Sequence, residues 1–138
     1  MTALKKYNYE IMDDGNALSM VTLVREGISY YGFNSIIKHT PFSSDEWSSY
    51  LHMSERTLQR YKKEKKKFDA MQSERIIQIT QLYNYGSEVF GNEEKFDKWL
   101  STENVALGNT VPKSLLDSSF GISMLKDELG RIEYGILA

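Results

Sequence analysis

Between Gln72 and Phe90 the residues Gln72, Ile76, Ile79, Tyr83, Gly86 and Phe90 recur at spacings of 4, 3, 4, 3 and 4. That rhythm keeps one stripe on one side of a 3.6-residue helix and cannot be laid on a strand, whose side chains alternate every two residues. The pattern predicts a helix from about Met71 to Phe90, long enough to organise everything else. A glycine inside the stripe costs about 1 kcal/mol of helix propensity, which is reasonable where another backbone packs closely against it.

The neighbouring segments read the same way. Ala17, Met20, Val21 and Val24 suggest a helix face stopped by Gly27, and Ser29 suits the cap of a helix turning Phe33, Ile36 and Ile37 inward. Ser43-Ser44-Asp45-Glu46 has the S-x-x-E form of a capping box, ahead of Trp47, Tyr50 and Leu51. His52-Met53 is a tight link, and Ser54 caps a helix burying Leu58 and Tyr61. Beyond Gly91, Asn92 caps a helix carrying Phe96, Trp99 and Leu100, and Pro112 starts a short one. The last helix carries Ile122, Leu125, Leu129, Ile132 and Ile136. Strand character is confined to the alternating Tyr7–Ile11, closed by the turn-like Asp13–Asn16. The expected fold class is all-α.

With no Cys, thiolate chemistry and disulfides are excluded, and two histidines, His39 and His52, lack partners at metal-binding spacing. Acidic pairs at Asp13-Asp14, Asp45-Glu46 and Glu93-Glu94 fall at turns or first helical turns, where capping and the helix dipole explain them. An enzyme is therefore not expected, nor a cofactor. No apolar run approaches the ~20 residues of a membrane span, and the first residues lack a signal peptide's apolar core, so the expected location is the cytoplasm.

Net charge is −2, but its distribution is uneven. Residues 1–67 carry eleven Lys and Arg against eight Asp and Glu, whereas residues 68–138 carry six against eleven. The basic excess lies in Ser54–Lys67. A capped helix, a short link and a second capped helix form the helix-turn-helix pattern, whose second helix enters the major groove. With Leu58 and Tyr61 inward, the opposite face offers Glu55, Arg56, Gln59, Arg60 and Lys63. Arg56, Gln59 and Arg60 have the chemistry to read base edges, Ser54 and the helix N-terminus to hold a phosphate, and Lys62 and Lys63 to neutralise the backbone. From the pattern alone, DNA contact and a merely solvated charged face both stay open.

The second half carries a more specific set of words. Ser73-Glu74-Arg75 is followed by Val89-Phe90-Gly91-Asn92, a helix with Trp99-Leu100, and Asn104-Val105-Ala106-Leu107-Gly108. Pro112, Leu115-Leu116, Gly121 and Leu129-Gly130-Arg131-Ile132-Glu133-Tyr134-Gly135 complete the order. This sequence resembles the Xre/MbcA/ParS toxin-binding domain of bacterial antitoxins, and Ser54–Arg60 looks like the same family's helix-turn-helix. The resemblance spans about Val24 to Ala138 and departs at the unusually basic Lys62–Lys67.

It implies a helix-turn-helix module (24–68) packed onto a toxin-binding and dimerisation domain (69–138), and leaves an N-terminal arm (1–23) that matches nothing in the family. It further implies a type II antitoxin that binds a RES-domain toxin acting on NAD, by degradation or ADP-ribosyl transfer. The C-terminus would block the toxin's active site, the chain would form a homodimer, and the helix-turn-helix would repress the shared operon at its operator DNA. The tail residues expected to meet the toxin are Arg131, Glu133, Tyr134, Gly135, Leu137 and Ala138, while Ile132 and Ile136 pack inward. The alternative is a stand-alone helix-turn-helix regulator without a toxin.

Overall fold

The computed structural model describes residues 17–137, with side chains placed as far as Gly135. The alternating segment Tyr7–Ile11, Ala138, and the side chains of Ile136 and Leu137 lie outside the described residues. Among the described residues seven α-helices follow in order: α1 (Ala17–Glu26), α2 (Tyr30–Ile37), α3 (Ser44–Tyr50), α4 (Glu55–Glu64), α5 (Ala70–Phe90), α6 (Glu93–Leu100) and α7 (Ser119–Leu137). Two short 3₁₀ turns, Val105–Leu107 and Pro112–Leu115, precede α7. Among the described residues the extended pairing is limited to isolated antiparallel bridges, Ser29 with Lys67 and Asn104 with Thr110. The all-α expectation holds. None of the described helices is long and apolar enough to cross a membrane.

The chain divides into two compact units, one reaching to Gln81 and the other starting at Leu82, with the division inside α5. In the first unit the core is aromatic. Phe33 packs edge-on against Trp47 at 5.1 Å and Phe68 at 5.0 Å, and Phe42 meets Tyr50 at 5.5 Å. Helix α1 turns a different face inward than its spacing suggests. Leu23 is its buried residue, Met20 and Val24 are half-buried, and Ala17 and Val21 are exposed. At its exit Gly27 sits at φ +86°, where a side chain would be strained, and its missing Cβ would fall 2.5 Å from the Phe68 carbonyl oxygen. That close approach fixes the angle of the chain leaving α1.

The expected caps form. Ser43 and Glu46 exchange both capping-box hydrogen bonds, at 3.0 and 2.9 Å. Ser29, Ser54 and Asn92 cap α2, α4 and α6. A second reciprocal box opens α5, in which Gln72 donates its backbone N–H to Asp69 and accepts from the Asp69 N–H. It is spelled Asp-x-x-Gln, outside the S-x-x-E pattern.

In the second unit the α5 stripe meets α6 through rings rather than backbone. Gly86 faces the fully buried Phe96, whose ring lies against Phe90, Trp99 and Tyr83 at 5.6 to 5.8 Å. Tyr83 donates its hydroxyl hydrogen to Asp97 at 2.7 Å across the same contact. Ile122, Leu125 and Leu129 of α7 are buried as their spacing requires, and Ile132 is half-buried.

Candidate DNA-reading and partner-binding surfaces

Helices α3 and α4 are joined by a turn in which the last carbonyls of α3 all find donors. The Leu51 N–H binds the Trp47 carbonyl, the Met53 N–H that of Ser48, and the His52 N–H that of Ser49, at 2.9 to 3.1 Å. The Tyr50 carbonyl accepts from Arg75 Nη1 at 3.2 Å, a residue of α5 25 positions away. His52 itself takes a left-handed conformation, φ 55°. That conformation reverses the chain quickly enough for Ser54 to begin α4.

Within α4, Leu58 is buried and Tyr61 is half-buried, lying 5.3 Å from the Phe68 ring. Arg56, Gln59, Arg60, Lys62 and Lys63 are all exposed, and Arg56, Gln59, Arg60 and Lys63 share the face away from Leu58. Ser54 is exposed too, yet its hydroxyl is engaged within the first turn, accepting from the Thr57 N–H and donating to Thr57 Oγ1. A phosphate at this helix end would meet backbone N–H groups before it met that hydroxyl.

The lysine run that follows α4 is held through its backbone. Lys65 takes φ 53° and turns the chain back. Tyr30 N–H then donates to the Lys66 carbonyl at 3.2 Å, and Phe68 N–H to the Ile28 carbonyl at 2.8 Å. Lys66 Nζ lies 5.6 Å from the Tyr61 ring centre and 3.5 Å from a Glu64 oxygen. Such exposed contacts contribute little energy, so the backbone pairing and buried Phe68 hold the segment.

In the second unit, α7 carries two stripes. One is the buried set just described. The other is Phe120, Met124, Asp127, Arg131 and Tyr134, at spacings 4, 3, 4 and 3, all facing solvent. Phe120 is 88 % exposed and Tyr134 72 %, which is unusual for side chains of that size. Tyr85, Lys126, Asp127, Gly130, Arg131 and Tyr134 line a shallow groove of about 550 Å³.

The expected tail residues are therefore not equivalent. Arg131 and Tyr134 line the groove and Gly135 is exposed. Arg131 Nε is tethered to Glu128 at 3.1 Å. Glu133 is half-buried and accepts from the Tyr85 hydroxyl at 3.1 Å. Burial, with the Glu133 carboxylate adding to it, pushes the Tyr85 hydroxyl above its ordinary value. Reading by the buried stripe alone misses Phe120, Met124, Tyr85 and Lys126, although the second period along α7 is legible in the sequence. Among the described residues no group of His, Asp and Glu is placed to hold a metal ion.

Residues 19–80 match the family described as the antitoxin Xre-like helix-turn-helix domain. Residues 86–135 match the antitoxin Xre/MbcA/ParS C-terminal toxin-binding domain. The chain belongs to the Xre/MbcA/ParS-type antitoxins. An antitoxin Xre of Photorhabdus laumondii is 32 % identical over 75 residues, which is 54 % of this chain and 51 % of that protein. An antitoxin Xre of Yersinia enterocolitica is 31 % identical over 84 residues, 60 % of this chain and 57 % of its own length. The chain thus spans little more than half the length of these curated relatives. Its α3–turn–α4 lies inside the helix-turn-helix match, and the α7 stripe lies inside the toxin-binding match, as do the groove residues other than Tyr85.

Proposed function

We propose that this Xre-type chain neutralises a cognate RES-domain toxin by direct binding and represses its own operon through α4. It works by occupancy rather than turnover, as a homodimer. The observation that carries the reading is the second stripe of α7. Phe120, Met124 and Tyr134 leave aromatic and apolar surface in water beside a groove edged by Lys126 and Arg131. Exposed aromatic and Met side chains with an Arg among them have the composition of an interface centre. Glu133 supports that surface by holding Tyr85 in place, while Arg131, Tyr134 and Gly135, followed by Leu137 and Ala138, meet the toxin and cover its nucleotide pocket.

On the DNA side, Arg56, Gln59 and Arg60 read bases while Lys62, Lys63 and the α4 N-terminus at Ser54 contact phosphates. The proposed domains are an arm over 1–23, a DNA-binding module over 24–68 and a toxin-binding and dimerisation domain over 69–138, whose first turns of α5 support the module through Ser73 and Arg75.

Co-expression with the neighbouring toxin gene tests the reading. Wild-type chain should restore growth and suppress NAD loss or ADP-ribosylation, and it should co-purify with the toxin. Removing residues 134–138 leaves Ile132 and the Tyr85–Glu133 bond intact, and should abolish rescue while operator binding persists. Rescue by the shortened chain would refute the blocking tail. Absence of any toxin bound by the wild-type chain would favour a stand-alone regulator.

A further inference from the structure

We infer that Arg75 is a positioning residue for DNA recognition, setting the angle at which α4 leaves the α3–α4 turn. The inference rests on the reading of α4 as the DNA-contacting helix. In the sequence, Ser73-Glu74-Arg75 belongs with the words of the toxin-binding half. In the structure both outer members serve the helix-turn-helix unit. Ser73 Oγ accepts from the Ile28 N–H at 2.9 Å, and Arg75 Nη1 donates to the Tyr50 carbonyl at 3.2 Å.

The Tyr50 bond completes the end of α3. Trp47, Ser48 and Ser49 carbonyls are served by N–H groups of the turn itself, but Tyr50 receives a guanidinium from α5. A cation there also complements the negative end of the helix dipole. The turn it closes contains a non-glycine residue in the left-handed region, His52 at φ 55°, a conformation that persists only when its surroundings over-determine it. Two residues later α4 begins, so any relaxation of the turn rotates Arg56, Gln59 and Arg60 together.

The cost of keeping this arginine argues against a role in stability alone. Its Nε is buried and has no hydrogen-bond partner. Near-neutral exchange for an apolar group needs both partners replaced; here the Tyr50 carbonyl loses its donor, and relief of the orphaned Nε offsets part of that cost. Arg75→Met removes the orphaned Nε and the donor to Tyr50 together, and the ratio of affinities for two duplexes then separates position from stability.

The experiment uses the full chain. Three quantities are read: the thermal midpoint, hydrogen exchange at the Leu51, His52 and Met53 amides, and affinity for two duplexes. One duplex carries the DNA upstream of the chain's own reading frame, and the other is a shuffled copy of the same composition. Arg75→Met should melt somewhat below wild type yet stay folded at the assay temperature, exchange those three amides faster, and lose roughly tenfold or more in affinity for the upstream duplex, the worth of one good base contact. Affinity for the shuffled duplex should stay within about twofold, because phosphate contacts carry no sequence information. An unchanged ratio between the duplexes, in a folded variant, overturns the inference. So does an equal loss on both. Should the Met variant melt too low to assay, Arg75→Lys is read in the same way: faster turn exchange must accompany a lower ratio, and either change alone overturns it. A wild-type chain that does not distinguish the two duplexes refutes the DNA-reading role itself.

Discussion

Replacing Gly86 with alanine should destabilise the chain, although alanine is the better helix former. A Cβ built there lies 2.1, 2.3 and 2.4 Å from three atoms of the Phe96 ring. Ordinary carbon contacts are about 3.5–4.0 Å, so the ring must retreat by more than an ångström. It cannot do so alone, because Phe96 is fully buried with Tyr83, Phe90 and Trp99 around it. Overpacking of this kind costs about 1–3 kcal/mol, and an approach this close belongs at the upper end or above. Against it stands about 1 kcal/mol of recovered helix propensity. The net is a loss of ~2 kcal/mol, or a fall in the thermal midpoint of roughly 6–10 °C for a chain of this size. Gly130→Ala supplies the control, since its nearest neighbour, the Tyr85 hydroxyl oxygen, would be 3.8 Å away. There the propensity difference stands nearly alone, and a gain of about 0.4–1 kcal/mol is expected. Phe96→Leu, which removes the ring, should recover part of the Gly86→Ala loss in a double-mutant cycle. A Gly86→Ala chain that melts at or above wild type, followed by circular dichroism, would refute the reasoning.

Other outcomes can be checked alongside. Ser73→Ala removes the acceptor of the buried Ile28 N–H and should cost about 1–3 kcal/mol in urea unfolding, whereas Glu74→Ala, exposed one position on, should cost far less. Changing Lys62, Lys63, Lys65 and Lys66 together to Gln should weaken binding to every duplex and flatten the salt dependence, by ~0.9 in slope for each phosphate no longer neutralised. Burial, with the Asp97 hydrogen bond next, raises the Tyr83 hydroxyl well above its ordinary 10.0. Because the folded value exceeds the unfolded one, the stability from neutral Tyr83 is fully present below about pH 10 and is lost as the pH climbs toward the folded value. Tyr83→Phe should therefore be less stable at neutral pH and lose less as the pH rises above about 10, as read from urea midpoints.

Sequence makes legible what depends on near neighbours. The Ser43–Glu46 box, the caps at Ser29, Ser54 and Asn92, and the α5 and α7 stripes are all spelled within a turn or two of helix. The exposed face of α4 follows from two inward positions, Leu58 and Tyr61. Long-range pairings leave no such trace. Nothing in Gly27 or Phe68 announces that their backbones meet, and nothing local to α1 marks Leu23 instead of Val21 as its buried position. Ser73 and Arg75 look like an exposed polar pair at a helix start, yet their partners, Ile28 and Tyr50, lie 45 and 25 residues away. On α7 the period-3.6 signal is present twice. An apolar residue is inward by default, so nothing local marks Phe120 and Met124 as surface.

The two tryptophans fall one on each side of the division inside α5. Trp47 is wholly buried in the unit that ends at Gln81, and Trp99 is half-buried in the unit that begins at Leu82. Each half thus carries a single indole fluorophore of its own. Emission from a Trp99→Phe chain reports the unit that holds the helix-turn-helix, and a Trp47→Phe chain reports the other. Superimposable melting curves would mean that α5 transmits loss of order from end to end. Separate ones would mean that the cell can unfold, or a protease can clip, one half of this protein while the other still holds its ligand.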